Sequence, residues 1–258
     1  GAARPEVEQA LLPSTWHENG AGIWGRIAER VEYRAYVING FDGQNFDSNG
    51  VRSGRQDGVE ALANDFAFVG RVDADVVRGL MLGGSVYTGQ SGQGQKSTAS
   101  GSERNLPDAR TTIYELHAQY KGYGASLRAL WTETFIDEAG RLSRVLALAP
   151  TASIAQRMRG WYVEAAYNVM PLFFEAPRTS LEPYFRFERL DTQREVSDLG
   201  FARDRTKDFD LYTVGLQFKP IPQIVFKLDF RHFVLARTSS SVPRDRADEV
   251  QAMVGYVF

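Results

Sequence analysis

Cysteine is absent from the 258 residues, which excludes disulfides, thiolate metal sites and cysteine nucleophiles. Long apolar runs are missing too. Even WYVEAAYNVM is broken by Glu164 and Asn168, and nothing approaches the ~20 apolar residues of a membrane-spanning helix. That excludes helical spans but not strands, because a barrel strand meets lipid only at every second residue. Lysine is scarce, five against twenty-five arginines, a bias toward planar, permanently charged guanidinium groups. A formal charge of −2 gives no reason to expect nucleic acid as a partner. The opening GAARPEVEQALLPSTW has neither the basic start nor the apolar core of a secretory signal, so we expect either a leader already removed or a sequence that starts partway through a longer precursor.

What the chain has instead is alternation. Its ending, EVQAMVGYVF, sets Val250, Ala252, Val254, Tyr256 and Phe258 on one side of an extended strand, with Gln251, Met253, Gly255 and Val257 on the other. The same period recurs upstream. QIVFKLDFRHFVLAR places Ile224, Phe226, Leu228 and Phe230 opposite Lys227, Asp229 and Arg231. LEPYFRFERL sets Pro183, Phe185 and Phe187 against Tyr184, Arg186 and Glu188, and TIYELHAQYK sets Tyr114, Leu116, Ala118 and Tyr120 against Glu115, His117, Gln119 and Lys121. Helical spacing fits none of these segments. The pattern predicts eleven strands, at about 22–28, 30–39, 66–77, 79–90, 111–122, 124–136, 156–170, 181–192, 208–220, 222–236 and 248–258. Short connections such as KGYG at 121–124 alternate with long polar ones at 40–65, 91–110, 137–155, 193–207 and 237–247. Residues 140–156 are the only segment read as a short helix, placed on one of the long loops.

A sheet with one polar face also suits a soluble lipocalin or sandwich. The faces separate the two readings. Aromatics gather on the apolar faces toward strand ends (Tyr120, Trp131, Trp161, Tyr212, Phe218, Tyr256, Phe258), as in the girdles of a membrane barrel. Opposed charges share the other face, which suits a wet lumen better than a packed interior. The fold class is therefore read as all-β, a transmembrane antiparallel β-barrel. Its lumen-facing set comprises Arg71, Asp73, Glu115, Lys121, Arg128, Glu164, Arg186, Glu188, Lys227, Asp229 and Arg231. Single-chain bacterial barrels have an even number of strands. Eleven is odd, so we expect further strands before Gly1, an external segment over 1–21, and strands over 22–258 joined by short periplasmic turns and long external loops.

Several segments carry a family resemblance. LPSTWHENGAGIWGRIAERVEYRAYVINGFDG (12–43), GRQDGVEALANDFAFVGRVDAD, GGSVYTGQSGQ and LEPYFRFERLDTQ are similar to stretches of the phosphate-selective porin O/P-like superfamily of outer-membrane proteins. The ending VGYVF resembles the terminal signal that the outer-membrane assembly machinery reads, with Val254, Tyr256 and Phe258 at its alternate positions. The resemblance spans most of 12–258. It implies a barrel of about sixteen strands in the bacterial outer membrane, trimeric, surrounded by outer-membrane lipid and lipopolysaccharide, and passing small solutes by diffusion. With sixteen strands, residues 1–21 fall in the third external loop, which folds inward in such porins and brings Trp16, His17 and Glu18 near the constriction. Phosphate selectivity in that family depends on clustered arginine and lysine. Here the signs interleave, Arg71 with Asp73, Arg186 with Glu188 and Lys227 with Asp229, so a transverse field and weak selectivity are expected.

Other chemistries find thin support. The three histidines, His17, His117 and His232, show neither i,i+4 nor H-x-H spacing, so no metal site is expected. PSTWHENG brings Ser14, His17 and Glu18 close together, without the G-x-S-x-G elbow of a hydrolase. DGQNFDSNG (42–50) is rich in oxygen ligands but off the EF-hand register, and reads as an Asx-rich turn. Arg244, Asp245 and Arg246 near the outer rim suit lipopolysaccharide phosphates or, equally, a solvated loop of paired charges. No catalytic residue, cofactor or enzymatic activity is expected. Two functions compete: a diffusion porin, and a non-conducting barrel serving binding, adhesion or an envelope assembly. An outer-membrane hydrolase, resting on Ser14 and His17, comes third.

Overall fold

The period of two is realised as one sheet. A computed structural model describes residues 1–12, 16–59, 61–175, 179–235 and 247–256. Its strands are β1 (Gly20–Ile27), β2 (Val31–Asn39), β3 (Phe66–Val77), β4 (Leu80–Gly89), β5 (Lys96–Ser97), β6 (Arg104–Asn105), β7 (Thr111–Gly122), β8 (Ala125–Ile136), β9 (Arg157–Tyr167), β10 (Ser180–Glu195), β11 (Asp208–Ile221), β12 (Ile224–Leu235) and β13 (Glu249–Tyr256). Eleven of them form a single antiparallel sheet in chain order, with β5 and β6 a separate hairpin inside the loop between β4 and β7. All eleven expected strands are present. β9 stops at Tyr167 rather than 170 because the Asn168 side-chain oxygen accepts from the N–H groups of Met170 (3.2 Å) and Leu181 (3.3 Å), closing the turn early. β10 runs past 192 because Glu195 rejoins Arg157 after a register shift at Asp191. At the short-turn end, Tyr123 (φ 50°) and Gly124 (φ 79°) form a two-residue connection, the left-handed pair that a tight hairpin needs.

The two faces of this sheet differ in kind. On β11, Tyr212, Val214, Leu216 and Phe218 point one way with 38–58% of their surface exposed. Thr213 and Leu211 point the other way and are fully buried. Leu116 (60%), Leu228 (53%) and Phe230 (46%) repeat the exposed apolar pattern. A soluble sheet would bury that face, since each large aliphatic or aromatic group gains roughly 1.5–3 kcal/mol on leaving water. A barrel in hydrocarbon exposes it. No helix among the described residues is long and apolar enough to cross a membrane; the crossing elements are strands.

Buried apolar side chains collect instead at the long-loop end. Phe41, Phe46 and Val51 from the loop after β2, Leu106 and Ala109 from the next, and Leu142, Val145 and Ile154 from the β8–β9 loop form one cluster. Trp16 stacks on Phe41 (ring centroids 4.5 Å) and lies 5.2 Å from Tyr87. Helix α2 (Ala139–Val145) overlaps only the start of the segment expected to be helical, 140–156, whose remainder is turn and irregular loop. The expectation that no other helix exists is corrected by α1 (Glu6–Leu11), which places Val7 and Leu11 on one buried side and glutamates in its first turn, where the helix dipole favours them.

An arginine on the apolar face should cost far more than one on the opposite face. Val214→Arg is expected to lower unfolding stability in lipid vesicles by about 2–4 kcal/mol, the usual midplane cost. Gln217→Arg on the lumen side of the same strand should cost under about 1 kcal/mol. Denaturant titration followed by tryptophan fluorescence tests both.

Candidate functional site

Register fixes which side chains share the inner face. Pairing sets Arg71 opposite Ser85, Ser85 opposite Glu115, Glu115 opposite Thr132, and Arg128 opposite Glu164, which in turn faces Arg186. Arg186 faces Thr213, which faces Arg231; Asp229 and Lys227 follow at steps of two on β12. Asp73 and Lys121 take the same parity on β3 and β7. Every residue expected to line the lumen therefore lies on one face. Arg26, Glu32 and Arg34 of β1 and β2 share it; the sequence reading had not named them.

One part of this wall is built around a histidine. The His117 Nδ1 lies 2.7 Å from Glu115 and its Nε2 lies 2.8 Å from Asp73. Arg71 donates from Nε to Asp73 at 2.7 Å, and Ser85 donates to Glu115 at 2.9 Å. Gly83 of β4 sits directly opposite His117, where an added Cβ would meet the ring at 2.5 Å. The ring thus holds two carboxylates apart rather than gathering them. Among the described residues no group of three or more His, Asp or Glu is placed to hold a metal ion.

The other part of the wall carries the chain's first residues. Glu6 accepts from Arg231 at 2.6 Å, and Arg231 also donates to Glu249 on β13. Glu8 accepts from the Tyr162 hydroxyl at 2.5 Å. The amides of Ala2 and Ala3 donate to Asp229, the Val7 amide donates to Glu188 at 3.3 Å, and Lys227 reaches the Gly1 carbonyl at 3.2 Å. Beneath them Arg186, 1% exposed, is paired with Glu164 and Glu188 at 3.2 and 2.9 Å. Burying these charges is eased because the arginines meet carboxylates and Asp229 meets backbone amides. Gly160 completes the fit, since an added Cβ there would come within 2.8 Å of Val7.

Trp16, His17 and Glu18 lie apart from that segment. Glu18 accepts from the Trp16 indole (2.9 Å) and from the Gln56 amide (2.8 Å), joining the loop core. His17 is exposed, 3.8 Å from Asp57. Ser14, Arg244, Asp245, Arg246 and Phe258 lie outside the described residues, so neither the hydrolase set nor the outer-rim arginines can be placed. The oxygen-rich 42–50 segment satisfies itself: Asp42 accepts from Gln44 and Asn45, and Asp47 from Asn49. His232 faces outward with Asp248 at 2.7 Å. Val254 and Tyr256 face outward too, 68% and 64% exposed. Sequence reasoning missed Glu6 and Glu8; the spacing of Val7 and Leu11, one helical turn apart and followed by Leu12, was the available signal.

No protein-family model matches the chain. An uncharacterized protein of Aquifex aeolicus (strain VF5) is 27% identical over 235 residues, covering 88% of this chain and 51% of that protein. Among solved structures, a porin refined at 1.8 Å resolution aligns with a TM-score of 0.50 at 13% identity, over 90% of this chain and 60% of that one. Salmonella typhi OmpF, in complex with daunomycin, aligns with a TM-score of 0.54 at 14% identity, over 88% and 56%. The fold is a porin's. The chain spans about half the length of the Aquifex protein and under two thirds of either porin.

Gly160→Val should push α1 off the wall while leaving the sheet intact. Faster cleavage within residues 1–12 under limited proteolysis of the folded protein, at least about fivefold, is the expected result for a seat destabilised by about 1–3 kcal/mol of overpacking strain.

Proposed function

We propose that this chain forms the larger part of the wall of an outer-membrane porin related to the phosphate-selective O/P-like group, in a barrel of about sixteen strands that passes small hydrophilic solutes or ions by diffusion. The observation that carries the reading is the one-sided lumen face, where acids and arginines alternate from Arg71 and Asp73 around to Lys227 and Asp229. An interleaved wall holds a strong local field with little net charge, which favours hydrated solutes of either sign over a single ion. In this reading Gly1–Leu12 narrows the pore and Trp16, His17 and Glu18 form the outer arm of the same loop. Val254, Tyr256 and Phe258 serve as the assembly signal, and three copies associate in the bacterial outer membrane.

A second reading has its own support. The contacts of residues 1–12 across β8–β12 are dense enough to serve as a plug, which suits a non-conducting barrel with a binding or structural role.

Single-channel recording of the full-length protein in planar bilayers separates the two. Conductance steps in groups of three, with a reversal potential of only a few millivolts under a tenfold salt gradient, are expected of a weakly selective trimer. Replacing Arg71 and Arg128 together by glutamine should shift the reversal potential toward cation preference. A folded, silent barrel would sink the diffusion reading and favour the plug.

A further inference from the structure

A cleft of about 340 Å³ separates the two parts of the inner face. It is bounded by Arg4, Glu8 and Leu12 of the N-terminal segment and by Arg71, Glu115 and Arg128 of the wall, and its size falls within the ~300–1,000 Å³ of small-molecule sites. Most charges around it are already paired. Arg71 donates to Asp73 at 2.7 Å, and His117 lies between Asp73 and Glu115. Ser85 donates to Glu115 as well. Glu164, the cross-strand neighbour of Arg128, is paired with Arg186 at 3.2 Å.

Two guanidiniums and an amide are left over. Only the carbonyl of Arg4 is engaged, by Gln9; its guanidinium has no hydrogen-bond or ion-pair partner among the described residues. Arg128, 43% exposed, makes no hydrogen bond among them, and its nearest carboxylate oxygen, on Glu8, stands 4.0 Å away. That same oxygen already accepts from the Tyr162 hydroxyl at 2.5 Å. Gln119 lies directly opposite Arg128 on β7, its amide likewise unengaged. Two cations and an amide therefore face one carboxylate that has a donor of its own. A second carboxylate is the complement, since its two oxygens match the planar guanidinium fork.

The rest of the cleft is apolar, lined by Leu12, Leu130 and the Tyr162 ring. A hydrated inorganic anion would leave that side in contact with water. A carboxylate carrying a short hydrocarbon body covers it, at a gain of about 25 cal/mol per Å². We propose that the cleft binds small organic monocarboxylates with an apolar body the size of one aromatic ring. The carboxylate sits between Arg4 and Arg128 with the Gln119 amide beside it, and the body lies against Leu12, Leu130 and Tyr162. One arginine belongs to the segment and the other to the wall, so an occupied site also fastens the segment in place. The access of solutes through the lumen rests on the porin reading above; binding itself does not need the barrel to conduct.

Equilibrium dialysis of radiolabelled benzoate against the full-length protein in detergent micelles, with protein-free micelles as reference, measures the site directly. Saturable binding of a single benzoate by each chain is expected, displaced by hexanoate and not by benzamide, with inorganic phosphate at least about tenfold less effective than hexanoate. Arg4→Gln and Arg128→Gln should each weaken binding at least about fivefold, a loss of about 1 kcal/mol. Both residues are exposed, so neither change reaches the buried ions, and heat-modified electrophoretic mobility checks that each variant is folded. Arg104→Gln, on the exposed hairpin strand β6, should change nothing. No saturable uptake above protein-free micelles, displacement by phosphate as ready as by hexanoate, or undiminished binding in both arginine variants would each overturn the site. Single-channel current from the same protein keeps the two readings apart. A silent barrel that still binds benzoate sinks the channel and keeps the site, and a conducting barrel that binds none does the reverse.

Discussion

A peptide N–H in hydrocarbon has no partner but another peptide, and each one left unpaired costs several kcal/mol. That constraint makes the sheet of this protein continuous. Each of the inner strands is hydrogen-bonded on both sides to its neighbours, and the pairing in turn fixes parity for the side chains. Once Glu115 stands opposite Thr132 and Arg128 opposite Glu164, the lumen face and the outer face are settled for every residue between them. A slip by one residue in any strand would exchange the faces, moving Arg186 and Glu188 into lipid. The charges on the inner face therefore police the register.

The lumen is not simply wet. Over β8–β12 the wall ions are buried, Arg186, Glu188, Asp229 and Arg231 nearly completely, because residues 1–12 lie on them. Those ions are met partly by the segment's Glu6 and backbone amides and partly by one another, Arg186 with Glu164 and Glu188 and Arg231 with Glu249. On β3 and β7 the ions instead pair among themselves around His117. The inner face thus has one part that shares its ions with residues 1–12 and one part that pairs among itself.

How much of this was legible in the sequence follows from which physical signal each feature leaves. Alternation between Phe185, Arg186, Phe187 and Glu188 is dictated by a two-sided environment, so strands and faces could be read from residues alone. The placement of Glu6 and Glu8 could not, because their partners Arg231 and Tyr162 are more than a hundred residues away and nothing local encodes that contact. The outward ions Glu133, Arg157 and Arg159 were obscured for a related reason. They occupy apolar-face positions, and only three-dimensional pairing shows them as a row above Trp131 and Trp161 rather than as breaks in the pattern. The loop core was likewise invisible: Phe41, Leu106, Leu142 and Ile154 sit in stretches whose composition says only that they are polar connections.

That loop core has a consequence for the order of events in folding. Its members come from at least three connections, together with Ile113, Leu190, Phe209 and Phe233 on strand ends, and Thr192 fastens to the Ser48 carbonyl at 2.7 Å across most of the chain. The core is assembled across connections rather than within one. Each must wait until its flanking strands are in register and the neighbouring loops have arrived, so the loop end sets last. Its solidification is a signal that the wall beneath is complete, much as a keystone can be seated only when the arch is already standing.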